Sequence, residues 1–102
     1  MSNPVSVVII TKNEEHNIGR CLNSVQWAEE IVVFDNGSTD RTMEICREFH
    51  CRIIETDWLG FGTLKKMAVE AASYDWIFSI DSDEEVSEVL KDRILNVLEA
   101  YN

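Results

Sequence analysis

The sequence predicts an α/β fold in which a mostly parallel sheet carries helices on both faces. Short β-branched runs alternate with runs of helical periodicity, in the order β-α-β-α-β-α-β-α. Strands that alternate with helices pair in parallel, because each crossover helix has to pack on a face of the sheet. With 102 residues, 45% of them hydrophobic and 27% charged, we expect residues 1–102 to form a single globular domain.

The first half of the chain predicts two strand–helix units. Residues 6–10, Ser-Val-Val-Ile-Ile, are mostly β-branched and too few for a helix, so they predict a buried strand. Residues 14–25 predict a helix whose first two glutamates suit its positive end. Its inner face is expected to consist of Ile18, Leu22 and Val25. Residues 31–34 predict the second strand, and a polar turn with a cap at residues 38–40 leads into a helix that ends near Phe49.

The second half of the chain repeats this alternation. Residues 52–56 predict the third strand, and residues 57–62 predict a loop with two glycines and two aromatic side chains. The next helix is predicted from apolar residues at helical spacing, namely Leu64, Met67, Ala68, Ala71 and Ala72. Residues 75–80 predict the fourth strand, and residues 87–101 predict the last helix. The inner face of that helix is expected to consist of Val86, Leu90, Ile94, Val97 and Tyr101.

Charge and cysteine content exclude several classes of protein. The formal net charge is −10, and residues 81–102, with seven acidic and two basic side chains, carry half of the excess. No stripe of lysine and arginine runs along the sequence, so we expect no nucleic acid as a partner. The three cysteines, an odd number without C-x-x-C spacing, favour a reducing compartment, and we therefore expect a cytoplasmic protein.

Polar clusters follow three of the predicted strands, at residues 11–14, 35–38 and 81–83. In parallel α/β sheets, ligands bind beyond the carboxyl ends of the strands, so the three clusters are expected to converge on one crevice. The first two clusters also have ordinary interpretations, as a helix cap and as a βα turn. The pair Lys65–Lys66 could reach a phosphate, or could be solvated like most exposed lysines.

Asp81-Ser82-Asp83 is the most informative motif, because two carboxylates one residue apart follow a hydrophobic strand. Both can approach one hard cation, and Mg²⁺ or Mn²⁺ prefers oxygen ligands and keeps positions for water and phosphates. The alternative is a capped helix start, since Ser82 and Glu85 have the spacing of a capping box. The spacing of the two aspartates does not by itself decide between these interpretations.

Together, the motifs resemble glycosyltransferase family 2, whose members have the GT-A fold. The resemblance lies in residues 7–15 (VVIITKNEE), 18–24 (IGRCLNS), 30–40 (EIVVFDNGSTD) and 81–84 (DSDE). Residues 58–62 (WLGFG), with the lysine pair that follows them, are similar to the subgroup that builds lipopolysaccharide cores, the β-1,4-glucosyltransferase-like members. Each piece is weak alone, but their order and spacing cover nearly the whole chain.

The resemblance implies that the chain binds a nucleotide-diphosphate sugar, usually a UDP-sugar. Thr11 and Asn13 fall in the loop that touches the nucleoside in the family, and Glu14 lies in the same loop. Asp35 and Asn36 fall where an acidic pair contacts the base. The asparagine is a departure, because some relatives carry a second aspartate at that position.

For the diphosphate, the resemblance implies a divalent metal, Mg²⁺ or Mn²⁺. Asp83 matches the direct metal ligand of the family, and Asp81 matches the aspartate that faces the ribose or the metal. Lys65 or Lys66 is expected to meet the diphosphate.

Family members continue into an acceptor-binding half, which supplies the general base that deprotonates the acceptor hydroxyl. We therefore expect residues 1–102 to be the donor-binding part of a longer, metal-dependent transferase, and to be inactive alone. The expected acceptor is a saccharide or a lipid-linked saccharide in cell-envelope polysaccharide synthesis. The alternative is a non-catalytic nucleotide-binding or protein-interaction module of the same fold. Self-association, and peripheral contact of the longer protein with the inner membrane face, stay open.

Overall fold

The structure is a computed structural model and describes residues 3–101. Its elements follow the predicted order: β1 (Val5–Thr11), α1 (Ile18–Asn23), β2 (Glu30–Asp35), α2 (Thr42–Glu48), β3 (Arg52–Glu55), α3 (Phe61–Ala71), β4 (Trp76–Ser79) and α4 (Glu88–Ala100). All strand pairs are parallel, and the order in the sheet is β3-β2-β1-β4. The α/β class and the parallel sheet are therefore confirmed.

The register of the sheet brings the ends of the strands to one edge. Thr11, the last residue of β1, is level with Asp35 at the end of β2, and Asp35 is level with Glu55 at the end of β3. On the other side of β1, Val8 is level with Ser79, the last residue of β4. The segments that follow the four strands therefore leave the sheet at the same edge, where α/β folds bind ligands.

Two apolar layers form the core, one on each face of the sheet. On the first face, β1 and β2 pack against α1 and α2 through Val7, Ile9, Ile18, Cys21, Leu22, Val25, Val33 and Cys46. On the second face, Val8, Val32 and Phe34 pack against Ala68 of α3. The split follows from the period of two along each strand, which sends neighbouring side chains to opposite faces. Helices on both faces of the sheet are confirmed.

α1 begins at Ile18, four residues later than predicted. The backbone N–H of Glu14 donates to Thr42 Oγ1 at 2.8 Å, and the backbone N–H of Glu15 donates to Asp40 Oδ2 at 3.3 Å. Side chains at the start of α2 and just before it thus hold residues 14 and 15 in a turn that precedes the helix. The prediction that the two glutamates occupy the first helical turn was wrong, and that turn contains no acidic residue.

The predicted inner face of α4 is confirmed only in part. Val86, just before the helix, is buried and Ile94 is half-buried, but Leu90, Val97 and Tyr101 are exposed. The buried residue within the helix is Leu98, which was not predicted. The helix lies along the edge strand β4, where the rings of Trp76 and Tyr101 are 5.8 Å apart between centroids. An edge strand offers only a narrow surface, so a large part of the apolar side of α4 stays in contact with water.

The start of α3 also differs from the prediction. The helix begins at Phe61, inside the predicted loop of residues 57–62. Gly60 precedes it with a φ of 89°, a left-handed conformation that glycine adopts without steric cost. Within residues 3–101, none of the helices is long and apolar enough to cross a membrane.

Candidate functional site

A pocket of about 790 Å³ opens at the edge of the sheet where the strands end. It is lined by Ile10, Thr11, Lys12, Glu14, Asn36, Trp58, Phe61, Lys65, Asp81, Ser82 and Asp83. Six of the nine site residues expected from the sequence are therefore brought together: Thr11, Glu14, Asn36, Lys65, Asp81 and Asp83. The expected convergence of the polar clusters on one crevice holds for these residues.

The two aspartates of the pocket project from a closed turn after β4. Asp81 donates its backbone N–H to Glu84 Oε1 at 2.9 Å, and Glu84 donates its own N–H to the Asp81 carbonyl at 3.0 Å. Ser82 is buried between Asp81 and Asp83, which are both exposed. Within the described residues, neither of these two carboxylates accepts a hydrogen bond or forms an ion pair. Both are therefore free to meet a ligand.

α1 holds this turn in place from behind. The Cys21 thiol donates to the Asp81 carbonyl at 3.6 Å, and Ser24 Oγ accepts the backbone N–H of Val86 at 2.9 Å. Burial, and then the charge of Glu84, raise the pKa of Cys21 to about 12, so the thiol keeps its proton and remains a donor. The turn after β4 is thus fixed to the apolar core.

The alternative interpretation of residues 82–85 as a capped helix start was wrong. α4 begins at Glu88, and its N-cap is Ser87, whose side chain accepts the backbone N–H of Leu90 at 3.1 Å. Residues 82–85 are therefore available as a ligand-facing turn.

The side chains of the pocket supply some, but not all, of the ligands that a hard divalent cation needs. Asp81 and Asp83 supply carboxylate oxygens, which Mg²⁺ and Mn²⁺ prefer. Among residues 3–101, no group of three or more His, Cys, Asp or Glu side chains is arranged to hold a metal. A cation held by two carboxylates keeps several coordination positions for water and phosphate oxygens, which is the usual arrangement for Mg²⁺.

Thr11 carries a polar atom that has no partner in the folded chain. The residue is 3% exposed and lines the pocket, and its Oγ1 makes no hydrogen bond within the described part of the chain. Buried hydroxyl groups are nearly always paired, because leaving one unpaired costs about 1–3 kcal/mol. Thr11 Oγ1 is therefore an unpaired polar atom in the wall of the pocket.

Asn36 offers a second polar group next to Thr11. Its side-chain NH₂ donates to the Thr56 carbonyl at 3.3 Å, and its backbone N–H donates to the Thr11 carbonyl at 2.9 Å. These bonds orient the amide and leave its Oδ1 as an acceptor at the pocket.

Asn13 and Asp35 are two further expected site residues, and their hydrogen bonds hold the β1–α1 and β2–α2 loops in place. Asn13, at a φ of 51°, donates its backbone N–H to Ser38 Oγ at 2.9 Å and accepts the Thr39 N–H at 2.7 Å. Asp35 is 1% exposed, and its two oxygens accept the N–H and the hydroxyl of Ser38. Neither residue lines the pocket, and neither does the exposed Lys66, so their contacts with a ligand stay a prediction.

Two aromatic residues of the pocket were not among the expected site residues. Trp58 and Phe61 lie after β3, with ring centroids 4.7 Å apart and ring planes at 89°. They are 55% and 63% exposed, although they line the same pocket as the aspartates. The sequence contained two signals for them, their position after the third strand and the WLGFG motif of residues 58–62, but neither signal assigned a contact with a ligand.

Comparison with known proteins places this geometry in a family. The profile of Glycosyl transferase family 2 matches residues 6–102. An uncharacterized glycosyltransferase of Rickettsia typhi is 40% identical over 99 residues, which are 96% of this chain and 34% of that protein. The lipopolysaccharide core biosynthesis glycosyltransferase LpsC of Rhizobium meliloti is 34% identical, over 95% of this chain and 38% of that protein. The chain thus spans about a third of the length of the curated relatives it matches.

A solved structure supports the same assignment. Glucosyl-3-phosphoglycerate synthase of Mycobacterium tuberculosis, in complex with Mn²⁺, UDP and glucosyl-3-phosphoglycerate, is similar with a TM-score of 0.70 and 25% identity. The match covers 81% of this chain and 36% of that chain. The parallel sheet with helices on both faces has the GT-A fold, and the chain belongs to glycosyl transferase family 2.

Proposed function

We propose that this chain is the donor-binding part of a metal-dependent glycosyltransferase and that it binds a nucleotide-diphosphate sugar of the UDP class. The observation that carries the proposal is the pair of unengaged carboxylates at Asp81 and Asp83, in one pocket with Lys65 and Thr11. A metal-bound diphosphate needs carboxylates for its cation and a nearby positive side chain for its oxygens. The Mn²⁺ and UDP found in the mycobacterial synthase support this class of ligand.

The nucleoside would lie over the ends of β1 and β2. Thr11, with its buried and unpaired hydroxyl, and Asn36, with its free acceptor, line the pocket there, and groups of these kinds can bond to the edge of a base or to a ribose hydroxyl. Glu14 lines the same wall from the β1–α1 loop. Asn13 and Asp35 act in this arrangement as positioning residues, because their polar atoms hold the two loops together.

The diphosphate would lie toward β4. Asp81 and Asp83 hold the cation there, either Mg²⁺ or Mn²⁺, and the Lys65 ammonium approaches the phosphate oxygens from α3. When bound, the cation neutralises charge that develops on the leaving diphosphate. The hydrogen bonds of Cys21 and Glu84 to the backbone of Asp81 keep the carboxylates in position.

In the longer protein, we propose transfer of the sugar to a saccharide or lipid-linked acceptor in cell-envelope polysaccharide synthesis. The bond from the anomeric carbon to the diphosphate breaks, the acceptor oxygen bonds to that carbon, and a general base takes the hydroxyl proton. The name of LpsC supports this class of acceptor. We place the base in the acceptor-binding part of the longer family members, and expect residues 1–102 alone to bind the donor without turnover. A non-catalytic module is not favoured, because the relatives named above are glycosyltransferases.

Calorimetric titration with UDP tests the metal assignment. We expect UDP to bind more tightly with Mn²⁺ than without it, and Asp83→Asn to reduce the affinity to the metal-free value. Glu85→Gln removes an exposed carboxylate two residues away that does not line the pocket, so it is the matched control and should leave the metal dependence intact. Equal UDP affinity with and without Mn²⁺ would rule out the assignment.

A further inference from the structure

The aromatic pair formed by Trp58 and Phe61 has no role in the binding scheme described so far. We propose that it is the stacking surface for the nucleobase of the donor, an inference that rests on the proposed function. The pair would recognise the flat face of the base, whereas Thr11 and Asn36 contact its edge. Trp58 and Phe61 are therefore assigned as binding residues that favour a nucleotide over a bare diphosphate.

The geometry of the pair suits a planar ligand. The ring planes are perpendicular, with centroids 4.7 Å apart, so the edge of one ring packs on the face of the other and the pair forms a corner. Each of the two residues is more than half exposed, so the pair still offers aromatic surface to a ligand. The apolar layer on that side of the sheet is closed by Ala68, Met67 and Ala71 of α3, so the core does not need the pair. Exposed aromatic faces that line a pocket are suited to stacking on a ring.

The order of the strands decides which part of the donor meets the pair. Along the ligand edge the strands end in the order β3, β2, β1, β4, and each is followed by one group of pocket residues. Trp58 follows β3, Asn36 follows β2, Thr11 ends β1, and Asp81 follows β4. Three strand spacings, roughly 14 Å, separate the first strand from the last.

A nucleoside diphosphate laid across this edge, with its phosphates at Asp81 and Asp83, directs its base toward β2 and β3. The transferred sugar extends past the second phosphate, away from the aromatic pair. Lys65 fits the same placement, because it follows Phe61 by four residues and so lies on the same face of α3. The aromatic pair is thus at the end of the site that the base would occupy.

The test compares UDP with inorganic pyrophosphate, which carries the phosphates without a base. Both are titrated in Mn²⁺ against the unaltered chain, Trp58→Ala and Trp58→Phe. Because base–aromatic stacking is lost, Trp58→Ala should weaken UDP binding on the order of tenfold and leave pyrophosphate binding unchanged. Trp58→Phe keeps a flat ring and should retain most of the UDP affinity. Leu59→Ala removes a neighbouring exposed apolar side chain outside the pocket and should change neither affinity.

The outcomes separate this inference from the function on which it rests. If Trp58→Ala leaves UDP affinity unchanged while Asp83→Asn abolishes its metal dependence, the stacking role is overturned and the donor site stands. Equal weakening of UDP and pyrophosphate would mean that Trp58 only holds the loop, which also overturns the proposal. If Trp58→Ala weakens the binding of UDP-glucose but not of UDP, the ring contacts the sugar and not the base, and the proposal is overturned. If the unaltered chain does not bind UDP, both proposals fail together.

Discussion

Replacing Thr11 by valine should raise the stability of the fold and lower its affinity for a nucleotide. Valine has nearly the shape of threonine, but a methyl group takes the place of the hydroxyl. In the free chain, Thr11 Oγ1 is buried and unpaired within the described residues, so the folded state bears its desolvation cost without a hydrogen bond in return. If UDP supplies the missing partner, the same substitution removes a bond from the complex.

The magnitude follows from the burial of this one group. An unpaired buried hydroxyl costs about 1–3 kcal/mol, so Thr11→Val should raise the free energy of unfolding by about 1 kcal/mol. For a domain of this size that corresponds to a Tm increase of roughly 5 °C. Loss of one neutral hydrogen bond should weaken UDP binding by about 1 kcal/mol, or roughly fivefold. Urea denaturation measures the first quantity and calorimetric titration measures the second.

Thr42→Val is the matched control, because its hydroxyl is equally buried but paired. Thr42 Oγ1 accepts the backbone N–H of Glu14 at 2.8 Å and donates to Asp40 Oδ1. Its loss leaves both partners without that bond, so this variant should be destabilised by about 1–3 kcal/mol. If Thr11→Val destabilises the chain as Thr42→Val does, the Thr11 hydroxyl is paired in solution and the reasoning is refuted. Unchanged UDP affinity would refute the ligand contact.

Two further predictions concern stability. The hydrogen bond from the Thr42 hydroxyl holds the pKa of Asp40 below its ordinary value, so its stabilising contribution is present above about pH 4 and is lost as the pH falls through the lowered pKa. Asp40→Asn should therefore make urea-unfolding stability less dependent on pH in acid, and an unchanged acid profile would contradict this. Leu64→Ala should lower the free energy of unfolding by about 2–5 kcal/mol, because Leu64 is fully buried on α3. Val69→Ala on the exposed side of the same helix should change it by less than about 0.5 kcal/mol, and equal effects of the two would argue against the packing of α3.

The order of the elements could be predicted because each one has its own local pattern. β1 is a run of β-branched residues, and α3 repeats small and apolar residues at helical spacing. The rule that ligands bind at the carboxyl ends of strands then predicted, from sequence alone, that Thr11 and Asp81 lie at the same crevice. These inferences need no knowledge of contacts between distant residues.

The boundaries of α1 and the buried face of α4 depend on distant contacts and could not be predicted. The turn before α1 is held by Thr42, which lies 28 residues after Glu14 and accepts its N–H. The pattern of α4 offers several apolar stripes, and its position along the edge strand β4 selects the one that contains Leu98. The contact of Cys21 with Asp81 spans 60 residues and likewise leaves no local signal.

The same topology explains why Asp35 is engaged while Asp81 and Asp83 are free. β2 is an interior strand, so the loop after it runs beside the β1–α1 loop, and both must satisfy backbone N–H groups that no strand takes up. The polar side chains nearby, Asp35 among them, accept these N–H groups and have no oxygen left for a ligand. β4 is an edge strand, and the turn after it satisfies its own backbone through Glu84 and the core side of α1. Its two aspartates are therefore left over for a ligand, which is the physical reason to expect the cation beside β4.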